Sequence, residues 1–192
     1  MNIFEAIRTR RSIGKVTGEA VSRELIERIL EAGTWAPNHR RTEPWTFFVM
    51  KGEGRKKLAR ALAEISRLEA GDVSEEQAAE LLAKAEEKVK RAPVIIGVAV
   101  QPSDKPGVVE LEEYGAVFAA IQNMLLEIHG LNLAAVWRTG EQAYHPVMNK
   151  TFGLGDQGKM LGFLYIGYPA VKELPAGKRE PVLDKTVWID QA

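Results

Sequence analysis

Cysteine is absent from the sequence. Its absence excludes a disulfide framework, a thiolate nucleophile and any zinc or iron–sulfur centre held by sulfur, so stability has to come from packing. Net charge is missing too: 26 Lys and Arg stand against 26 Asp and Glu, and no whole-molecule field draws the chain toward nucleic acid or an anionic membrane. No apolar run approaches the roughly 20 residues that cross a bilayer. The amino-terminal stretch MNIFEAIRTRRSIG runs from apolar to basic, the reverse of a secretory signal, and a cytoplasmic location is expected. The three histidines, His39, His129 and His145, are too scattered for an H-x-x-x-H pair, so no metal site is expected. A G-x-S-x-G elbow for nucleophilic hydrolysis is lacking. The glycines of GEG (52–54) and GLGDQG (153–158) do not carry a strand into a helix with the spacing of a phosphate loop or a dinucleotide turn.

What is present is an ordinary globular composition, 45% hydrophobic and 27% charged, which suits one domain over residues 1–192 with a core that needs no covalent staple. Leu25, Ile26, Ile29 and Leu30 recur at helical spacing over 22–33, with Ser22 placed to cap and Gly33 to stop. WTFFVM (45–50), bracketed by Pro44 and Gly52, reads as a strand. Helical spacing returns at 55–68 through Leu58, Leu62 and Ile65. SEEQ (74–77) is a capping box that opens a further helix, with Glu80 and Lys84 paired on its outer side. PVIIGVAV (93–100) is apolar without interruption, as suits a central strand covered on both faces. LAAVW (133–137) and KMLGFLYIG (159–167) read as two more strands, and the alternation predicts a sheet layered between helices. The long helix expected over 108–129 is apolar on every side through AVFAAI (116–121). Gly115, Ala116, Ala119 and Ala120 would let a second helix approach closely, which predicts a two-fold homodimer. The last stretch, 168–192, holds three prolines and is read as an extended tail lying on another surface, the partner subunit by expectation, with Trp188 as its anchor.

Two polar stretches are candidates for chemistry. RTRRSIG (8–14) sets Arg10, Arg11 and Ser12 just after a short amphipathic helix. Guanidinium forks and a hydroxyl match a terminal phosphate monoester, and the alternative is a solvated basic cluster. The loop WAPNHRRTEPW (35–45) crowds His39, two arginines and Glu43 between Pro37 and Pro44, and is either a site or a plain solvated connection. His129 is read as a helix C-terminal histidine favoured by the dipole, His145 as a loop residue, and Trp35 as a core tryptophan rather than one flanking a pocket.

The order and spacing of five pieces resemble the FMN-dependent nitroreductase family, particularly its small, compact members. They are RRS at 10–12, A-P-N-H-x-x-x-E-P-W-x-F-F-V at 36–49, G-x-x-x-x-x-x-Q-N-M at 115–124, W-R-T-G at 137–140 and G-F-L-Y-I-G-Y-P at 162–169. The resemblance implies an α+β, three-layer α/β/α fold with helices flanking a mixed central sheet and a tail extending onto the partner. It implies a homodimer with an FMN in each of two interface clefts. By position it assigns Arg10 and Ser12 to the FMN phosphate and Arg11 to backbone or ribityl contacts. His39 and Glu43 would reach the neighbouring subunit's flavin. The backbone of Trp137, Arg138 and Thr139 would meet the N5–O4 region of the ring, with the Arg138 side chain balancing charge on the reduced ring or reaching phosphate. It further implies ping-pong hydride transfer from NAD(P)H to FMN and on to a nitroaromatic, quinone or similar acceptor. No side chain is then catalytic, and the protein supplies orientation and positive charge. The alternatives are a flavin-dependent dehalogenase-like enzyme, for which 71–91 would be the lid, and a flavin-binding protein without turnover.

Overall fold

The computed structural model describes residues 1–171 and 173–190. Among them the elements run α1 (Ile3–Thr9), α2 (Arg23–Thr34), β1 (Trp45–Lys51), α3 (Lys56–Ala70), α4 (Glu75–Val89), β2 (Val94–Val100), α5 (Glu110–Gly130), β3 (Ala134–Arg138), α6 (Glu141–Tyr144), α7 (Pro146–Phe152) and β4 (Lys159–Gly167). The strands form one sheet in the order β1-β2-β4-β3, each neighbouring pair antiparallel. A parallel component enters through the bridge from Ser12 to Ala135 on the outer side of β3, and Val16 pairs with Pro169 just beyond it. Helices α2 and α5 cover one face, and α3, α4 and α7 the other, giving the expected α+β layering.

Strand β2 shows why its sequence never breaks its apolar run. Val94, Ile96, Val98 and Val100 point into the α2/α5 cluster while Ile95 and Ala99 point into the α3/α4 cluster, and all seven residues are buried. Its neighbour β4 carries a bulge: the pairing slips between Val98 and Ala99, so that Gly162 and Met160 are consecutive partners. The extra residue resets the alternation, and Phe163 and Tyr165 share the α3/α4 face with Met160. Gly162, at φ 135°, is required here because a Cβ would collide with the Trp137 indole and the Arg138 carbonyl.

Caps lie where the sequence puts them. The Leu25 N–H donates to the Ser22 hydroxyl at 3.3 Å, and Ser74 and Gln77 satisfy each other's backbone N–H groups at the start of α4. Gly33 is a correction: α2 runs on through Thr34, and Gly33 is instead a packing residue whose Cβ would stand 3.0 Å from the Met124 side chain of α5. Trp35 is a second correction, since it is 79% exposed just past the end of α2. His145 is the loop residue expected, and it caps α7, its Nδ1 accepting from the Val147 N–H at 3.2 Å.

Burial of α5 on every side does not hold within one chain. Ala116, Val117, Ala120, Ile121, Met124 and Ile128 are core, but Leu111, Gly115, Phe118 and Gln122 form an open stripe on the opposite face. Apolar surface is also open on α1, where Ile3, Phe4 and Ile7 are exposed and no residue is buried, and along the tail at Val182, Val187, Trp188 and Ile189. The tail's first residues are fixed to their own subunit: the Thr17 N–H donates to Tyr168 O at 2.8 Å and the Ala170 N–H to Lys15 O at 3.0 Å.

Candidate active site

The α1 C-terminus delivers RRS into a strip along β3, where the Ile13 N–H donates to Ala135 O at 2.8 Å and Ser12 pairs with Ala135. Arg10, half-buried, lines a crevice of about 190 Å³ with His129, Leu133 and Leu174, and no carboxylate lies on its walls. Burial, then the charges of Arg11 and Arg179, push the Arg10 guanidinium below its ordinary value. Like charges held together without a counter-ion suit an anion. The Arg11 side chain is committed elsewhere: its Nε donates to Pro175 O at 2.8 Å and its Nη1 to the carbonyls of Arg8 and Arg10 at 2.7 Å, clamping the tail to α1. Ser12 is exposed, and its hydroxyl has no partner among the described residues.

His129 stands beside this group at the C-terminal end of α5, its Nε2 2.8 Å from the Thr9 hydroxyl. A helix-dipole histidine should have a raised pKa. His129 sits in the last turn of α5 as expected, and burial, then the nearby Arg10 and Arg11, oppose the dipole and push it below its ordinary value.

At the far end of the strip, Trp137 donates from its indole to Leu161 O, the carbonyl at the β4 bulge, at 3.3 Å and packs against Phe118 at 6.0 Å between ring centroids. Alternation along β3 then sends Arg138 to the other face, where its guanidinium lies 4.9 Å over the Tyr165 ring. Its Nη2 stands 4.0 Å from where a Cβ on Gly14 would be, so the end of the 10–14 strip reaches Arg138. A second crevice, of about 180 Å³, opens here between Arg138, Thr139, Gln142, Tyr165, Lys88 and Arg91, again without a carboxylate. Burial pushes the Tyr165 hydroxyl up, and the charges of Arg138 and Arg91 oppose that. Beyond the Ser12–Ala135 bridge, no strand among the described residues pairs the outer side of β3, which leaves backbone groups of 137–139 open to a ligand.

His39 and Glu43 are not in this strip. The His39 Nδ1 lies 2.6 Å from Glu112 Oε2 at the start of α5, and the Glu43 N–H donates to the Asn38 side chain at 2.7 Å while its carboxylate points to solvent. Glu112 and His129 are 17 residues apart on one helix, about 26 Å at 1.5 Å per residue. One chain therefore places Arg10 at the C-terminal end of α5, Trp137 beside Phe118 in mid-helix, Arg138 and Thr139 in a second crevice on the other face of the sheet, and His39 at the N-terminal end of α5.

A family model for the Nitroreductase family matches residues 7–168, the whole span from α1 through β4. The chain belongs to the nitroreductase family. It is 33% identical over 172 residues to the protein of Escherichia coli (strain K12) named "Putative NAD(P)H nitroreductase YdjA", across 90% of this chain and 91% of that relative. The nitroreductase-like family protein from Bacillus cereus superposes with a TM-score of 0.84 at 31% identity, covering 100% of this chain and 97% of that one. A nitroreductase-type protein from Desulfovibrio desulfuricans, solved in complex with FMN, superposes with a TM-score of 0.72 at 29% identity, covering 100% and 99%.

Three cations of this nitroreductase-family chain were not singled out by its sequence. Arg179 follows Arg10 by 169 residues and sits in a tail with no periodic pattern. Lys88 and Arg91 close α4, where charges at helical spacing read as a solvated face. Nothing local in the sequence marked any of the three.

Proposed function

We propose that the protein is a homodimeric, FMN-dependent NAD(P)H oxidoreductase of the nitroreductase type, which passes a hydride from a nicotinamide to a nitroaromatic, quinone or similar acceptor. The observation that carries the reading is the division of the site across α5. Arg10 stands at one end of the helix and His39 at the other, and a two-fold partner laid antiparallel along the open Leu111–Gly115–Phe118–Gln122 stripe brings one chain's His39 loop to the other's Arg10.

The residues present fit FMN. Arg10, with no carboxylate among the described residues of its crevice and the charge of Arg179 close by, and the free Ser12 hydroxyl suit the phosphate dianion. The open edge of β3 would offer backbone N–H groups to ring acceptors, and Arg138, Lys88 and Arg91 would supply positive charge to a reduced ring. Bound flavin supplies the hydride chemistry. The protein's part is to bind, to orient, and to keep cationic groups where negative charge develops. A dehalogenase-like lid is not favoured, because α4 packs Ala85 and Val89 into the cluster holding Leu58, Leu62 and Ile65.

Purified protein tests the reading directly. It should be a yellow dimer that bleaches anaerobically with NADPH or NADH and recolours when a nitroaromatic is added. Colour without bleaching would leave only a flavin binder, and a colourless monomer that takes up no FMN would reject every flavin reading. Truncation before Val182 removes the exposed Val187, Trp188 and Ile189 and should raise the dimer dissociation constant. An equally tight dimer would show that the tail serves its own subunit.

A further inference from the structure

Glu113 is the one buried charged side chain among the described residues, 1% exposed in the first turn of α5. A carboxylate is buried at a large desolvation cost unless donors surround it. Here they do. Oε1 accepts from the Thr42 hydroxyl at 2.6 Å and the Asn38 amide at 3.4 Å, and Oε2 accepts from the Ser103 N–H at 3.3 Å. Two of those donors belong to the loop that carries His39 and Glu43.

That loop needs holding. Arg40, Arg41 and Glu43 have φ of 65°, 52° and 50°, a left-handed conformation that residues with a side chain seldom adopt, three times in four positions. Asn38 bridges the turn, accepting from the Glu43 N–H at 2.7 Å, and Glu112 holds His39 from outside. Strain of this kind persists only where surrounding contacts over-determine it. Thr42 and Asn38 meet the single buried anion among the described residues, so the loop's shape is tied to the first turn of α5 rather than to its own sequence.

We infer that Glu113 is a positioning residue for the partner's site: it fixes the 38–43 loop in the conformation offered across the dimer to the other subunit's FMN. The inference rests on the proposed function, since it requires the loop to act in trans. Glu113 itself touches no flavin; it acts through Thr42 and Asn38 on His39 and Glu43.

Mixed dimers test it. Co-expression of an Arg10→Ala chain and a Glu113→Ala chain under two affinity tags gives dimers with one site carrying both defects and one carrying neither. Each homodimer should bind FMN at least about tenfold more weakly than wild type, the scale of one lost hydrogen bond to a charged group. The mixed dimer should recover wild-type affinity in half of its sites, a rescue that general destabilisation by Glu113→Ala would not produce. No rescue overturns the inference, as does a Glu113→Ala homodimer that binds FMN like wild type. If Glu113→Ala does not fold, Thr42→Val, which removes the 2.6 Å donor, takes its place in the same cross with the same outcomes. Wild-type protein that takes up no FMN sinks the proposed function itself; wild-type uptake lost in Arg10→Ala but kept in the Glu113 and Thr42 variants sinks this inference alone.

Discussion

At its C-terminal end α5 meets Arg10 and Arg11, with Arg179 close by, and the crevice between them contains no carboxylate. At its N-terminal end the same helix carries Glu110, Glu112 and Glu113, and a loop with His39, Arg40 and Arg41 folds over it. The helix dipole favours both arrangements, anions at the start and cations at the finish. What separates them is how far each is satisfied. Glu113 is ringed by donors and Glu112 is paired, so the acidic end spends its charge on holding a strained loop. At the basic end Arg11 is spent on clamping the tail, while Arg10 stays half-buried with no carboxylate among the described residues of its crevice, a cost that folding alone does not repay. Charges consumed inside the fold act as a support; under the proposed function, the charge left open is the one that meets phosphate.

The comparison breaks most visibly at Arg10. Arg10→Ala should cost FMN binding on the order of 2 kcal/mol or more, because a phosphate dianion loses a charge-assisted fork. The apoprotein should unfold at the same denaturant concentration or a slightly higher one, since mutual repulsion with Arg11 and Arg179 is relieved. Flavin fluorescence titration and denaturant melts read the two quantities. FMN affinity unchanged within twofold would remove Arg10 from the site, and a large loss of apoprotein stability would make the basic end a support like the acidic one.

Thr42→Val is the converse probe and a smaller one. It leaves the buried Glu113 one donor short and should lower the unfolding free energy by about 1–2 kcal/mol. Stability unaffected by Thr42→Val would mean that water replaces the hydroxyl and that the acidic end is looser than its geometry.

The sequence made the two ends unequally legible. All four strands and the caps at Ser22 and Ser74 follow from local pattern, because alternation, helical spacing and capping chemistry act within a few residues. Arg10 and Ser12 follow from the phosphate-matching chemistry of RTRRSIG and the W-R-T-G turn from resemblance; Ser12 pairs with Ala135 on β3 and Gly14 approaches Arg138. Glu113 was invisible as a buried group because Glu112 beside it is exposed, and nothing local distinguishes adjacent glutamates when the difference is a donor set drawn from residues 38, 42 and 103. Arg179 was missed for the same reason, contact across 169 residues. Trp35 was misread because a tryptophan at a helix end is usually buried, whereas here α2 closes with its ring outside.

The finest discrimination between the two ends is pH. His129 belongs to the basic end, and burial together with Arg10 and Arg11 hold it below the ordinary histidine value. In the unfolded chain it titrates near 6.5. Between that value and its lower folded one, the unfolded state binds more protons, so stability from this group is complete above about pH 6.5 and is lost as the pH falls below it. FMN should narrow the window, since a phosphate dianion beside Arg10 offsets the charges that depress His129. Denaturant melts of apoprotein and FMN-loaded protein at pH 5.5 and 7.5 should therefore differ more for the apoprotein. His129→Gln should flatten the apoprotein's dependence while sparing the acidic end, where Glu113 stays buried. The effect should be smaller than that of Thr42→Val, because His129 is only half-buried and its Thr9 contact survives in either tautomer. Equal pH dependence in wild type and His129→Gln would show that solvent, rather than the arginines, sets the charge of this histidine.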